Sequence, residues 1–348
     1  MTYREPWKRV FSDLIELRRG ALQVAQYMGV LSGLKRSLDD WIPYSQLHAY
    51  ISLIAELGLA IELDCIFSRL PDTQQPAFGS RYAPTTRAGG RSLSSREVTA
   101  LMKGRPSNTS DFDLHFAPGD EVHVVVAKKP EWAFETLGAA WYPLVVDNRI
   151  ITKPYGDAYR LGSALGYPDC CVRFFMEHNQ WATQNQFAEA LKASSTLSWQ
   201  ANCLAKNTRW MVIYHMPCAF DCPATLEYSG SVLKEVRRFD PAYADSIEAY
   251  LKQTAVVSNE RQAFTLVSAR KNNSNRMSYM NVKSLQEFIL VRDPLHDDYF
   301  NALKAGDELL IEDGTIFIWK NGEFARAIET NCDQGIAEVP LLLDFVER

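Results

Sequence analysis

The chain has no stretch approaching the ~18 consecutive apolar residues of a membrane span. Its first nine residues, Met1 to Arg9, lack the apolar run of a signal peptide. We therefore expect a cytoplasmic protein with no membrane partner. Positive charge is in short supply: 37 Lys and Arg stand against 42 Asp and Glu, for a net charge of −5. No global basic field draws the chain to nucleic acid, so that partner is not favoured. Cysteine is scarce too. Seven in 348 residues is an odd number and too few for a disulfide scaffold. In a reducing compartment, clustered cysteines more often bind metal or do chemistry than form disulfides. No internal repeat is found.

What is present reads as an α+β fold: helices and short strands around a cysteine site, with a small antiparallel β meander at the C-terminal end. At 47% hydrophobic and 23% charged, the chain can bury a core. Four regions follow from composition: a helical region over 1–70, a polar loop over 71–110, an α/β core carrying the cysteines over 111–260, and a β-rich region over 261–348. Helical spacing predicts one or two helices over 6–36 and another from Pro43 to Leu57, with Gly58 closing it. A strand is expected from Ala60 to Phe67. From Pro71 to Ser95 the chain is rich in Pro, Gly, Ser and Thr and reads as a long loop, with Arg81, Arg87, Arg91 and Arg96 in or just past it.

Strand Val122–Ala127, helix Pro130–Trp141 and strand Tyr142–Asp147 together suggest an α/β portion. Helices are expected over Ala158–Leu165, Pro223–Phe239, Pro241–Gln253 and Pro294–Ala305. Strands are expected over Arg209–His215, Gln262–Ala269 and Glu287–Arg292. The meander is Asp307–Glu312, Thr315–Lys320 and Glu323–Ala327, with hairpin turns at Asp313-Gly314 and Asn321-Gly322.

The chemistry gathers in two segments. One brings Cys170 and Cys171. The other brings His215, Cys218 and Cys222 as H-x-x-C-x-x-x-C. Each sits where a turn or strand hands over to a helix start, with Asp169 and Asp221 as expected helix caps. Unpaired N–H groups and the helix dipole there favour thiolates and anionic centres. Soft sulfur ligands suit zinc, Cu(I) and iron–sulfur clusters. Adjacent side chains diverge on a helix, so one of the vicinal pair is expected to face the centre. Cys171 lies nearly opposite Arg173 and is the inward candidate, leaving Cys170 as a spare ligand, a substrate-side thiol or a proton donor. The cofactor expected is an iron–sulfur cluster, 4Fe–4S, held by Cys171, Cys218 and Cys222 with Cys170; zinc is the alternative. Cys170 and His215 are the candidate catalytic groups.

The remaining groups have ordinary explanations. Cys65, Cys203 and Cys332 read as small buried hydrophobes. His178 reads as a surface or packing residue. Arg160, Arg173, Lys206 and Arg209 flank the cysteines and could meet an anion.

The stretches Leu165-Gly166-Tyr167-Pro168-Asp169-Cys170-Cys171-Val172-Arg173-Phe174-Phe175 and His215-Met216-Pro217-Cys218-Ala219-Phe220-Asp221-Cys222-Pro223-Ala224 resemble a family of uncharacterised prokaryotic proteins, known only as a domain of unknown function. Its pattern is like LGYP-x-CC-V-x-F-F followed by H-x-P-C-x-x-DCPA, and the resemblance spans residues 155–240. It implies that both motifs form one site, without naming a reaction. Three functions follow from the residues. The first is an iron–sulfur enzyme acting on a small molecule at an open metal position. The second is a zinc-stabilised module binding RNA or a protein partner. The third is metal-free catalysis, with Cys218 or Cys222 as nucleophile and His215 as base.

Overall fold

The computed structural model describes residues 5–18, 22–69, 82–84, 121–139, 143–146, 149–152, 157–178, 186–206, 208–259, 262–272, 276–284, 296–329 and 341–345. Arg81, Arg87, Arg91, Arg96 and Cys332, the expected strand Glu287–Arg292 and most of the Pro71–Ser95 loop lie outside them, as does the side chain of Cys65. The fold is α+β, and its sheets pair antiparallel throughout the described residues. No helix among the described residues is long and apolar enough to cross a membrane. The chain divides into two units, Met1–Val172 with Ser231–Asp240, and Arg173–Gly230 with Pro241–Arg348.

The first unit opens with helices α1 (Glu5–Leu17) and α2 (Val24–Ser32), then strand β1 (Ser37–Pro43), helix α3 (Leu47–Glu56) and strands β2 (Ala60–Arg69), β3 (Tyr82–Pro84) and β4 (Glu121–Ala127). These strands form a sheet in the order β1-β4-β2-β3. Strand β4 is flanked on both sides, with Ala127 opposite Ser37 of β1 and Ala60 of β2. A central strand is covered on both faces, and residues 122–127 are all buried. Helix α4 (Pro130–Ala139) packs Ala133 and Leu137 on Val125 and Ala127.

Strand β1 was not expected, because Asp39 and Asp40 break its apolar run. The structure pairs both acids. Asp40 accepts from Arg18 at 3.3 Å and from the Tyr27 hydroxyl at 3.2 Å. Asp39 lies 3.7 Å from His123 Nε2. The strand–helix–strand run does not make a parallel unit: β5 (Pro143–Val146) pairs with β6 (Arg149–Thr152) in a separate two-stranded ribbon. Helix α5 (Ala158–Ala164) and the first turn of α6 (Asp169–His178) complete this unit, with the last part of α8 (Pro223–Phe239).

In the second unit, α7 (Gln186–Lys192) and α9 (Pro241–Leu251) accompany the rest of α6 and α8. Strands β7 (Ala255–Asn259), β8 (Gln262–Val267), β11 (Asn281–Ser284) and β15 (Leu341–Leu343) form one sheet in the order β11-β8-β7-β15. A second sheet has the order β14-β13-β12-β10-β9. Its strands are β9 (Arg270–Lys271), β10 (Met277–Ser278), β12 (Glu308–Glu312), β13 (Thr315–Lys320) and β14 (Glu323–Glu329). The last three are the expected meander. Helix α10 (His296–Ala305) sets Tyr299 and Leu303 in a core with Phe264 and Leu266 of one sheet and Leu309, Ile316 and Ile318 of the other.

Candidate metal centre

The turn before Cys170 is built by two glycines. Helix α5 ends with Gly166 N–H on the Ser163 carbonyl at 3.1 Å and Tyr167 N–H on the Gly162 carbonyl at 2.9 Å. This double closure requires a left-handed residue, and Gly166 supplies it with φ +76°. A Cβ at Gly162 would stand 2.8 Å from Val172 Cγ2, so glycine there lets α5 lie directly on α6.

The Pro168 carbonyl then accepts from the N–H groups of Cys171 (2.9 Å) and Val172 (3.0 Å) and opens α6. Asp169 is therefore the first helical residue rather than the cap, and its carboxylate accepts from the Tyr159 hydroxyl at 2.6 Å. On α6, Cys171, Val172 and Phe174 are buried and Phe175 is half-buried, while Arg173 and Glu177 are exposed.

The second motif differs from expectation before it reaches the cysteines. Arg209–His215 is irregular and pairs with no strand. Met211, Val212 and Ile213 are each 1% exposed, so the β-branched run records burial and not pairing. His215 is buried, with Nε2 3.1 Å from Thr225 Oγ1 and its ring edge-on to Tyr228.

The loop that follows is held by Phe220 and Asp221. Phe220 is fully buried between Phe187 and Phe345, with ring centroids 5.6 and 6.1 Å away. Its N–H donates to Ser194 Oγ at 2.7 Å, and its carbonyl accepts from Ser198 N–H at 3.3 Å. Asp221 stands one residue before the cap position of α8. Its carboxylate accepts from the N–H groups of Ser195 (3.0 Å) and Thr196 (3.3 Å) and from the Ser195 hydroxyl. Cys222 occupies the cap position instead: its carbonyl accepts from Leu226 N–H at 3.0 Å, and its own N–H donates to the Ala219 carbonyl at 3.0 Å. Sequence reasoning missed Phe220, Ser194 and Ser195 as the loop's supports. The run Ser194-Ser195-Thr196, rich in side-chain acceptors and donors, was the available signal.

The sulfurs of Cys170, Cys171, Cys218 and Cys222 all lie within 4.8 Å of one another, and all four cysteines are free of disulfides. The vicinal pair does not diverge: Cys170 Sγ and Cys171 Sγ are 3.9 Å apart. Exposure is graded across the group. Cys171 (1%) and Cys222 (4%) are buried, Cys218 is half-buried and Cys170 is exposed. Four thiols this close can hold a metal ion. His215 is not among the clustered ligands.

The other flagged residues lie elsewhere. Cys203 is buried, its sulfur 3.7 Å from Met216 Sδ, and burial pushes its thiol up to about 12. The ring of His178 packs on Phe174 at 4.5 Å. Lys206 sits 4.4 Å over the Tyr214 ring and Arg209 4.1 Å over Trp210. Arg160 and Arg173 are exposed.

No curated protein and no solved structure matches the chain. Residues 121–243, the segment that carries both motifs and all four clustered cysteines, match a family described as a protein of unknown function, DUF483.

Proposed function

We propose that the four cysteines hold a single tetrahedral metal ion of the zinc class, and that the protein works through this metal–thiolate centre on a small molecule in a reducing compartment. The observation that carries the reading is the sulfur spacing. Zinc–sulfur bonds of 2.3 Å in a tetrahedron set sulfurs about 3.8 Å apart. The thiolates of a four-iron cluster sit on different irons, roughly 6–7 Å apart. Separations of 4.8 Å or less therefore favour one ion over the 4Fe–4S cluster expected first.

The donor set fits such an ion. Cys170 and Cys171 come from the first turn of α6, and Cys218 and Cys222 from the loop leading into α8. Bound there, zinc would supply positive charge that holds the four sulfurs as thiolates. With all four positions taken by sulfur, the ion has no open place for substrate, and the chemistry passes to the ligands. The acidic balance of the chain supports a small-molecule partner over RNA.

The test is metal analysis and an absorption spectrum of protein purified without oxygen. One zinc per chain with no visible bands is the expected result. Several irons with matching sulfide and broad visible absorption would overturn the single-ion reading and restore the cluster. A metal-free protein that regains no ion when zinc is offered would remove both.

A further inference from the structure

We propose that Cys170 is a nucleophile that accepts an alkyl group from a soft carbon electrophile, while the other three cysteines keep the ion in place. The proposal rests on the single-ion reading above. It starts from the graded exposure of the four ligands. Cys171 and Cys222 are buried beneath their helix starts. Cys218 is half-buried on a loop pinned by Phe220. Cys170 alone of the four is exposed.

Thiolate, and not thiol, is the attacking form of cysteine. A metal-bound cysteine stays thiolate, so ligation keeps Cys170 in the reactive form. Four thiolates on a dication also leave the centre doubly negative, and that charge must rest on the sulfurs. The buried sulfurs are shielded from an incoming molecule, whereas Cys170 meets solvent. The step balances without an outside oxidant. Cys170 Sγ donates an electron pair to the carbon, the S–C bond forms, and the bond from carbon to the leaving group breaks. The leaving group departs with its electron pair. The product is a neutral thioether, so the negative charge of the centre falls by one. The substrate class is therefore an alkyl donor with a good leaving group, such as a methyl ester of a strong acid or a sulfonium.

The experiment treats zinc-loaded, full-length protein with iodomethane, reads zinc content, and maps methyl groups by peptide mass spectrometry. Cys170 should be methylated about tenfold faster than Cys171, Cys218 or Cys222, with zinc still bound. Cys170→Ser should keep zinc and lose the fast methylation. Methylation that begins at Cys218, spreads evenly over the four, or spares all four while zinc is bound would overturn the assignment. Absence of zinc from the protein would overturn it together with the metal reading, and the metal assay, not the peptide map, would report that outcome.

Discussion

Cys170 Sγ and Cys171 Sγ lie 3.9 Å apart, although the two residues are neighbours in the first turn of a helix. About 100° around the axis separates adjacent helical residues, which argues for divergence. Cysteine has a single χ1 rotor, and its staggered positions can turn two neighbouring sulfurs toward each other. At a helix start no preceding turn crowds that rotation. A vicinal pair can thus act as one arm of a tetrahedral site.

The two members of that arm should not contribute equally. Removing buried Cys171 leaves an apolar gap that water reaches poorly. Removing exposed Cys170 leaves a position that water can fill. We expect Cys171→Ala and Cys222→Ala to weaken zinc binding by more than about 100-fold, and Cys170→Ala by less, given that even outer-shell losses cost 10–100-fold. Competition titrations with a zinc chelator would measure the order. Equal loss from Cys170 and Cys171 would mean that both ligands are indispensable.

Asp221 holds the cysteine loop to the turn at Ser195 and Thr196. Asp221→Ala removes a charged acceptor from two backbone donors and should lower stability by about 1–2 kcal/mol. Because Cys222 is the next residue, zinc affinity should fall about tenfold as well. Asp221→Asn keeps an acceptor oxygen and should recover most of both. Thermal melts with and without zinc test the pair. A drop in α8 helicity would instead revive the capping role.

Much of the fold could be read from periodicity. Helix α8 begins and ends where its pattern does, at Pro223 and Phe239, and the meander turns fall at Asp313-Gly314 and Asn321-Gly322. The cysteine group was legible because two helix starts each carried thiols. The losses share a cause, which is that partners distant in sequence decide the outcome. Asp39 and Asp40 hid β1 until Arg18, Tyr27 and His123 were seen to pair with them. Val212 and Ile213 mimicked a strand because burial and β pairing favour the same side chains. Asp221 fits the rule for a cap, yet three donors 25 and 26 residues away capture its carboxylate.

Gly162 offers a packing test. Alanine is the better helix former by about 1 kcal/mol. Its Cβ would nonetheless meet Val172 Cγ2 at 2.8 Å and Cγ1 at 3.2 Å. Valine is stiff at χ1 and cannot swing away. Overpacking should win, and Gly162→Ala should destabilise by about 1–3 kcal/mol. In a Val172→Ala background the same change should become neutral or stabilising. A double-mutant cycle by urea unfolding reads the coupling directly. Additive effects would show that the two residues do not press on each other.

Lys35 gives the pH dependence. It is 3% exposed, its ammonium donates to Gln26 Oε1 at 2.6 Å, and its Cβ faces Gly166. Burial lowers its pKa to about 8 from 10.5, against the opposing pull of Asp39. Between those values the unfolded chain binds the proton that the folded chain has released. Stability from this group is therefore lost as pH falls from 10.5 through 8, and it rises as pH climbs across that window. The tyrosines act oppositely at the upper end. Burial, the largest cause, raises Tyr27, Tyr50 and Tyr228 above 10.0, so their contribution is lost above pH 10. The buried Cys203 thiol, raised from 9.0 to about 12, opposes the slope from pH 9 upward in the same way, so the clean interval is pH 8 to 9. Urea unfolding there should show stability rising by about 1 kcal/mol, the slope approaching ~1.4 kcal/mol per pH unit as the folded Lys35 loses its proton. Lys35→Met should flatten the slope and stabilise the protein most near pH 7, where the buried charge costs most. A slope that survives Lys35→Met would assign the effect to another group.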